Sequence, residues 1–307
     1  MGNPTIFCIV VTYNASKWIE KCFGSLCSSA VPLQIIAIDN ASTDNTVILI
    51  KQKFPSIDVI EAGKNLGFGQ ANNIGLRKAV KQNADYVFLL NQDAWIKEHT
   101  IKKLVEASKI NPEFGIISPF HLDTTEKKFE TLFSELFYRY NNTILEDMYF
   151  NRLQCLYETE YIHAACWLMS RQCVETTGGF DPLYFHYGED DDYLQRAMYF
   201  NFKIGLVPAA SIVHDSVYNG WNELEWNENR NMVIAFQQLK KMSPHFSSNV
   251  LLFCKMSLDE LASLLLFRKF KKFRFRWKIF RKAFFAIRKI RKSYQHSFVK
   301  GAFLTHE

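Results

Sequence analysis

The chain has 307 residues, 48% apolar and 22% charged, the balance of a folded soluble protein large enough for one sizeable core or a main domain with an appendage. Its net charge of +6 conceals a division: from Leu261 onward fourteen Lys and Arg stand against one acid, Glu307, so that tail is +13 and everything before it is −7. The two parts are expected in different surroundings, and a membrane-spanning helix is not expected, because no unbroken apolar run approaches ~20 residues; the best candidate, VLLFCKMSLDELASLLLF, is interrupted by Lys255, Asp259 and Glu260.

The opening MGNPTIFCIVVTYN lacks the charged start and small-residue cleavage site of a secretory leader, and it reads as a first strand, Ile6–Tyr13. Ser16–Cys27 then has helical spacing with a Ser cap, Gln34–Ile38 is a short strand ending in Asp39-Asn40, and Thr43–Phe54 is helical, with Asp44 as its cap. Asp58–Glu61, Tyr86–Leu90 and Gly115–Pro119 continue as strands, with helices expected over Gln70–Gln82 and Thr100–Ile110. Asp123–Tyr157 reads as a variable loop or insertion. A strand follows over Ile162–Ser170, then a helical turn at Arg171–Thr177, a Gly-rich turn leading into a helix with EDDDYLQRAM, and two short strands, Ile204–Pro208 and Ser211–Val213. Such alternation predicts a parallel, doubly wound α/β sheet, whose ligands sit at the carboxyl ends of its strands. Seven cysteines (8, 22, 27, 155, 166, 173, 254), odd in number and without a CxxC pair, read as reduced, mostly buried thiols of a cytosolic protein.

The predicted rim gathers amides, carboxylates and glycines. Asp39 ends its strand either as a helix cap or as an acceptor for a base imide N–H or a ribose hydroxyl. AGKNLGFGQANNIG lacks the GxGxxG spacing of a dinucleotide site, and no GxxxxGK[ST] phosphate loop exists. It suits either a tight turn or a backbone passing close to a ligand, with Asn65, Asn72 and Asn73 offering hydrogen bonds. Asp93, at the end of LLNQD, is placed to bind a hard divalent cation, Mg²⁺ or Mn²⁺, together with diphosphate oxygens. In FHYGEDDDYLQR, Glu189 to Asp192 are four adjacent acids at a helix start, where the helix dipole tolerates them. Their mutual repulsion makes it hard to hold all four idle, and one is expected to act as a general base. His214, following a short strand, is placed to complete a metal site with Asp93, and the other seven histidines lack comparable company in the sequence.

Together VVTYNAS (10–16), IDNASTDNT (38–46), NLGFGQANNIG (65–75), LLNQDAW (89–95), GGFDPLYFHYGEDDDYLQRA (178–197) and IVHDS (212–216) resemble, in order, the family 2 inverting glycosyltransferases of GT-A fold, and most closely their rhamnosyltransferase-like subgroup. The resemblance implies a Rossmann-like, mostly parallel sheet over residues 1–240 and a nucleotide-diphosphate sugar donor, dTDP- or UDP-linked, with rhamnose as the candidate sugar. It implies an acceptor that is a glycan or lipid-linked molecule of bacterial surface polysaccharide. It sets Asp39, Thr12 and Asn14 at the nucleotide base, and Asn65, Gly67 and Asn72 along its pocket. Asn91 and Asp93 fall at the family's DxD position, Asp93 holding the cation and His214 contacting metal or diphosphate. Asp190 is the implied base, with Asp191 kept open as the alternative, while Gly179, Phe180 and Asp181 shape the sugar and acceptor pocket and Trp167 gives it an apolar wall. The QxxRW motif of processive synthases is missing, since Phe273 stands where Gln would precede Arg276-Trp277; this implies addition of one or a few sugars. A non-catalytic scaffold that kept the fold is the other class considered.

Residues 241–307 are expected to form an amphipathic helical extension. From Phe267 to Lys292, Phe270, Phe273, Trp277, Phe280, Phe284 and Ile287 share one helical face, and basic residues fill most of the rest. That pattern fits an anionic membrane surface, with the protein peripheral on the inner face of the cell membrane. A helix packed on the main domain is the alternative, and the acidity of the rest of the chain disfavours nucleic acid.

Overall fold

The structure is a computed structural model that describes residues 4–140, 142–216 and 227–304. Met1–Asn3, where the leader reading begins, and Glu307, the tail's one acid, lie outside the described residues.

The strands are β1 (Ile6–Thr12), β2 (Gln34–Asp39), β3 (Asp58–Glu61), β4 (Tyr86–Leu90), β5 (Ala94–Ile96), β6 (Phe114–Leu122), β7 (Tyr157–Glu158), β8 (Cys166–Ser170) and β9 (Lys203–His214). They form one sheet in the order β3-β2-β1-β4-β8-β6-β9-β5, with β7 also paired to β9. The run β3-β2-β1-β4 is parallel, as is β6 with β9, whereas β8, β5 and β7 run against their neighbours. The result is the expected mostly parallel α/β sheet.

Helices α1 (Ile19–Cys27), α2 (Thr46–Lys53), α3 (Gly67–Lys81) and α4 (Thr100–Ile110) connect the early strands, and α7 (Arg171–Thr177) and α8 (Glu189–Tyr199) the later ones. Both sheet faces are covered. Phe7 and Ile9 of β1 join a core that includes Leu76, Phe180 and Tyr193, while Ile6, Cys8 and Val10 join one that includes Phe23 and Leu104. Successive strand side chains point to opposite faces, so a doubly covered strand reads as an unbroken apolar run.

Three expectations change. Asp123–Tyr157 is not a plain loop: it holds α5 (Thr131–Tyr140) and α6 (Asn142–Tyr149). Phe133 and Phe137, one helical turn apart, pack there with Phe120 and Phe129. The two short strands after Ile204 are one strand, β9, whose pairing with β6 slips between Pro119 and Phe120; Pro208 lies in the slipped stretch and offers no N–H to the ladder. The first helix begins at Ile19 and not at Ser16, whose backbone N–H donates to the Asp44 carboxylate.

The C-terminal helices are α9 (Glu228–Lys240), α10 (Phe246–Leu266) and α11 (Phe270–His296). They share a third apolar cluster in which Leu183 and Tyr184, just before α8, meet Leu239, Phe253, Ile279, Ala283 and Ile290. The buried line of α11 is therefore Ile279, Ala283, Ile290 and Tyr294, while Phe270, Trp277 and Phe284 of the aromatic stripe stay exposed. Among the described residues no helix is long and apolar enough to cross a membrane.

Candidate active site

The carboxyl ends of β1 and β2 are in register, Thr12 beside Asp39. Asp39 is buried and accepts hydrogen bonds from Thr12 Oγ1 (3.0 Å), Ser42 Oγ (2.5 Å) and the Ser42 N–H (2.9 Å). Asn14, with φ of +50°, donates its N–H to Ser42 Oγ and accepts from the Thr43 N–H. This corner is laced by its own side chains. The Asn65 side chain caps the Gly67 N–H at the start of α3, and Asn40 clamps the same turn through the Leu66 N–H and the Gly67 carbonyl. Gly67 sits at φ of +78°, where a Cβ would strike the Phe185 carbonyl oxygen at 1.9 Å; only glycine fits there.

Gln92, which sequence gave no reason for, pairs with the backbone of Tyr13. Its Oε1 accepts the Tyr13 N–H (2.7 Å) and its Nε2 donates to the Tyr13 carbonyl (3.3 Å). Asn91 stands beside it, its backbone N–H donating to the Ala165 carbonyl. Asp93 precedes β5, a strand too short to show in the sequence. Pairing of β5 with the end of β9 sets Ala94 opposite His214 and directs the Asp215 N–H to the Asp93 carbonyl. His214 Nε2 is consequently 3.3 Å from Asp93 Oδ1.

The four acids of α8 diverge. Burial, then the charge of Asp190, pushes Glu189 up to about 8, so it is a neutral acid at pH 7. Asp190 is partly exposed and accepts the Tyr161 hydroxyl at 2.7 Å. Burial and Asp190 raise Asp191 to about 6, and its carboxylate accepts from the amides of Gln195 and Gln237, on the side of α9. Asp192 is buried; burial opposes its charge, but Lys240 and Arg196 outweigh it and hold the carboxyl below its ordinary value. Lys240 also bonds Asp181, which accepts from Ser293 of α11. Arg196 donates to the Thr177 and Gly179 carbonyls. The sequence-level puzzle of four repelling charges is resolved by protonating one, pairing one with two cations and bonding one to two amides. Asp190 is left beside Tyr161.

Three residues assigned to the pocket from the resemblance are internal. Asn72 donates to the Phe68 carbonyl within α3, Gly179 lies in a buried turn, and Phe180 is fully buried, with its backbone bonded both ways to the Asn73 side chain. Trp167 is also fully buried, stacked on Phe180, and forms core rather than an exposed wall.

Two histidines and a tyrosine absent from the sequence-level site lie here. Tyr161 reaches Asp190, and two residues on His163 stacks against His214, with its Nε2 3.8 Å from Glu130 Oε2. The segment before β8 thus connects the α8 acids to the Asp93 corner. His121, from the end of β6, packs edge-on against His163. Burial, reinforced by the neighbouring histidines, keeps His121 well below its ordinary value and His163 at about 4, so both are neutral at pH 7. Sequence carried no signal for this grouping, because the three histidines come from separate parts of the chain.

Residues 7–178, more than half of the chain, match Glycosyl transferase family 2. The N-acetylglucosaminyl-diphospho-decaprenol L-rhamnosyltransferase of Mycobacterium tuberculosis is 24% identical over 233 residues, covering 69% of this chain and 76% of its own. The dTDP-rhamnosyl transferase RfbF of Shigella flexneri is 22% identical over 216 residues, 69% of each chain. In fold, the chain is similar to the mannosyltransferase of Pyrobaculum calidifontis in complex with GDP-Man and Mn²⁺, at TM-score 0.57 and 16% identity over 94% of this chain and 88% of that one. It is likewise similar to S. aureus TarS 1-349 in complex with UDP, at TM-score 0.55 and 16% identity over 80% and 68%. With its GT-A sheet and rhamnosyltransferase relatives, the chain belongs to glycosyl transferase family 2.

Proposed function

We propose that this glycosyltransferase moves a sugar, rhamnose being the first to test, from a dTDP- or UDP-linked donor to a hydroxyl of a glycan or lipid-linked acceptor, with inversion at the anomeric carbon. The observation that carries this reading is the connection of two centres: Tyr161 holds Asp190 while His163 packs on His214, which faces Asp93. The substrates in the relatives' names, a decaprenol-linked diphosphosugar and dTDP-rhamnose, support the choice of donor and acceptor class.

In this reading Thr12, Asn14 and Asp39 form the base end of the donor site, and Asn65, Gly67 and Asn91 line its middle. Asp190 takes the proton of the acceptor hydroxyl; the new bond forms between that oxygen and the anomeric carbon as the bond to the diphosphate breaks. Tyr161 donates to Asp190 and fixes its direction. The engagement of Asp191 with Gln195 and Gln237 favours Asp190 over it for this role. Asp93 fits a divalent cation through its carboxylate oxygens, with His214 Nε2 standing 3.3 Å from Oδ1. Mg²⁺ or Mn²⁺ bound there would stabilise charge on the leaving diphosphate. Retention of Asp39, Asp93 and Asp190 disfavours the scaffold reading. The test is a binding and hydrolysis screen of dTDP-, UDP- and GDP-sugars with and without Mn²⁺; failure to bind any of them would overturn the proposal.

The division near residue 240 is proposed as one of role. The exposed Phe267, Phe270, Phe284 and Phe285 lie among the Lys and Arg of the C-terminal hairpin, which suits the interface of an anionic membrane. Cutting the tail off would strip Ile279, Ala283 and Ile290 from their cluster, so the better test keeps the full chain. Changing Phe284 and Phe285 to Ser is expected to weaken binding to phosphatidylglycerol vesicles, and unchanged binding would refute the membrane role.

A further inference from the structure

The histidines beneath the rim carry an assignment of their own. A ring nitrogen from each of His121, His163 and His214 lies within 4.8 Å of one from each of the others, and all three residues are buried. His121 Nδ1, His163 Nε2 and His214 Nδ1 are each buried without a hydrogen-bond partner, a cost that folded chains avoid unless the atom has a use.

The tautomers follow from the opposite ring nitrogens. Ser118 Oγ gives its one proton to a carbonyl, at 2.7 Å from that of Cys166, so at 3.1 Å it accepts from His121 Nε2–H. His121 Nδ1 then carries the lone pair. His214 Nε2 faces the acceptor-only carboxylate of Asp93, which likewise leaves the lone pair on His214 Nδ1. Glu130 stands beside the third ring, its carboxylate held by the Leu132 and Phe133 N–H groups and by Ser216. Ligating histidines characteristically donate their second N–H to a carboxylate or another oxygen; His121 does so to Ser118, and His214 has the Asp93 carboxylate 3.3 Å from its Nε2.

We propose that His121, His163 and His214 form an inner site for one divalent first-row transition metal of the zinc class, separate from the donor cation and independent of nucleotide. Three imidazoles suit Zn²⁺ or Co²⁺ and are poor ligands for Mg²⁺. The inner metal makes His214 a shared wall: its Nδ1 faces inward while its Nε2–H orients Asp93, which remains the carboxylate for the donor cation. It also pins the segment that carries Tyr161 to Asp190.

The test uses the full chain, stripped with a chelator and free of nucleotide. Zinc is expected to bind at one equivalent per chain, to survive desalting and a large excess of Mg²⁺, and to raise the melting temperature. His121→Phe and His163→Phe should each lower zinc affinity by at least the ~10–100-fold that even outer partners of a metal site are worth, whereas Asp93→Asn should retain it. Co²⁺ added to the unaltered chain should give the intense visible bands of a low-coordinate nitrogen site, a readout that needs no variant to fold. Zinc uptake unchanged in both histidine variants, uptake lost only with Asp93→Asn, or pale octahedral Co²⁺ bands would each overturn the inner site. None of these readouts requires a nucleotide sugar, so failure here is distinguishable from failure of the donor reading.

Discussion

The Asp93 corner and the Glu189–Asp192 cluster both set carboxylates at the end of a secondary-structure element, but they are built in opposite ways. Asp93 is positioned by a sheet: β5 pairs with β9, and the register alone brings His214 to 3.3 Å. The α8 acids are sorted by their neighbours, since Lys240 and Arg196 claim Asp192, Gln195 and Gln237 claim Asp191, and Tyr161 claims Asp190. One centre selects its chemistry by which strands meet, the other by which partners surround four similar residues. Position along a helix therefore says little about which acid reacts.

Four substitutions probe that contrast. Asp190→Asn is expected to lower kcat by roughly 10²–10⁴, the usual worth of a positioned base, while leaving donor affinity nearly unchanged; Asp191→Asn, measured beside it, should retain most turnover. A reversed order would move the base to Asp191. Lys240→Met removes the buried cation shared by Asp181 and Asp192 and should destabilise the fold by about 3–5 kcal/mol, as broken buried pairs do, visible as a lower urea midpoint. The smallest effect is on pH dependence. Glu189 is raised from an ordinary value of 4.5 to about 8, so between those pH values the folded chain binds more protons than the unfolded one, and its contribution to stability falls as pH rises. The difference in stability between the parent chain and Glu189→Gln should drift across pH 4.5–8 and level off above it; a flat difference would mean that Glu189 is ionised in the fold.

Much of the sheet was legible because β1, β2 and β4 are apolar runs that end abruptly in polar residues, a pattern that follows from burial on both faces. Thr12, Asp39 and Asp93 were legible for the same reason, each standing at or just past a strand's end. What escaped was whatever depends on contact between distant segments. His121, His163 and His214 come from β6, the segment before β8 and β9, and no local period joins them. Phe180 sits in a recognisable turn, yet whether it meets ligand or core is decided by Trp167 and Tyr193. On α11, aromatic residues occur on nearly every face, so hydrophobicity cannot pick the packed one. Close approach to α9 and α10 favours the slimmer Ile279, Ala283 and Ile290.

The pairing of Gln92 with Tyr13 has a consequence for the rim as a mechanical object. A primary amide is the side-chain counterpart of a peptide group, and here it occupies the place of one more rung between β1 and the chain leaving β4. That rung sets a fixed span between Asn14 and Asp93, one residue to either side of the pair. The rim therefore works as a gauge whose length is set from inside the protein before anything is laid along it. A carboxylate at this position would face the Tyr13 carbonyl with no proton to give, so Gln92→Glu would alter the gauge without touching either of the residues it spaces.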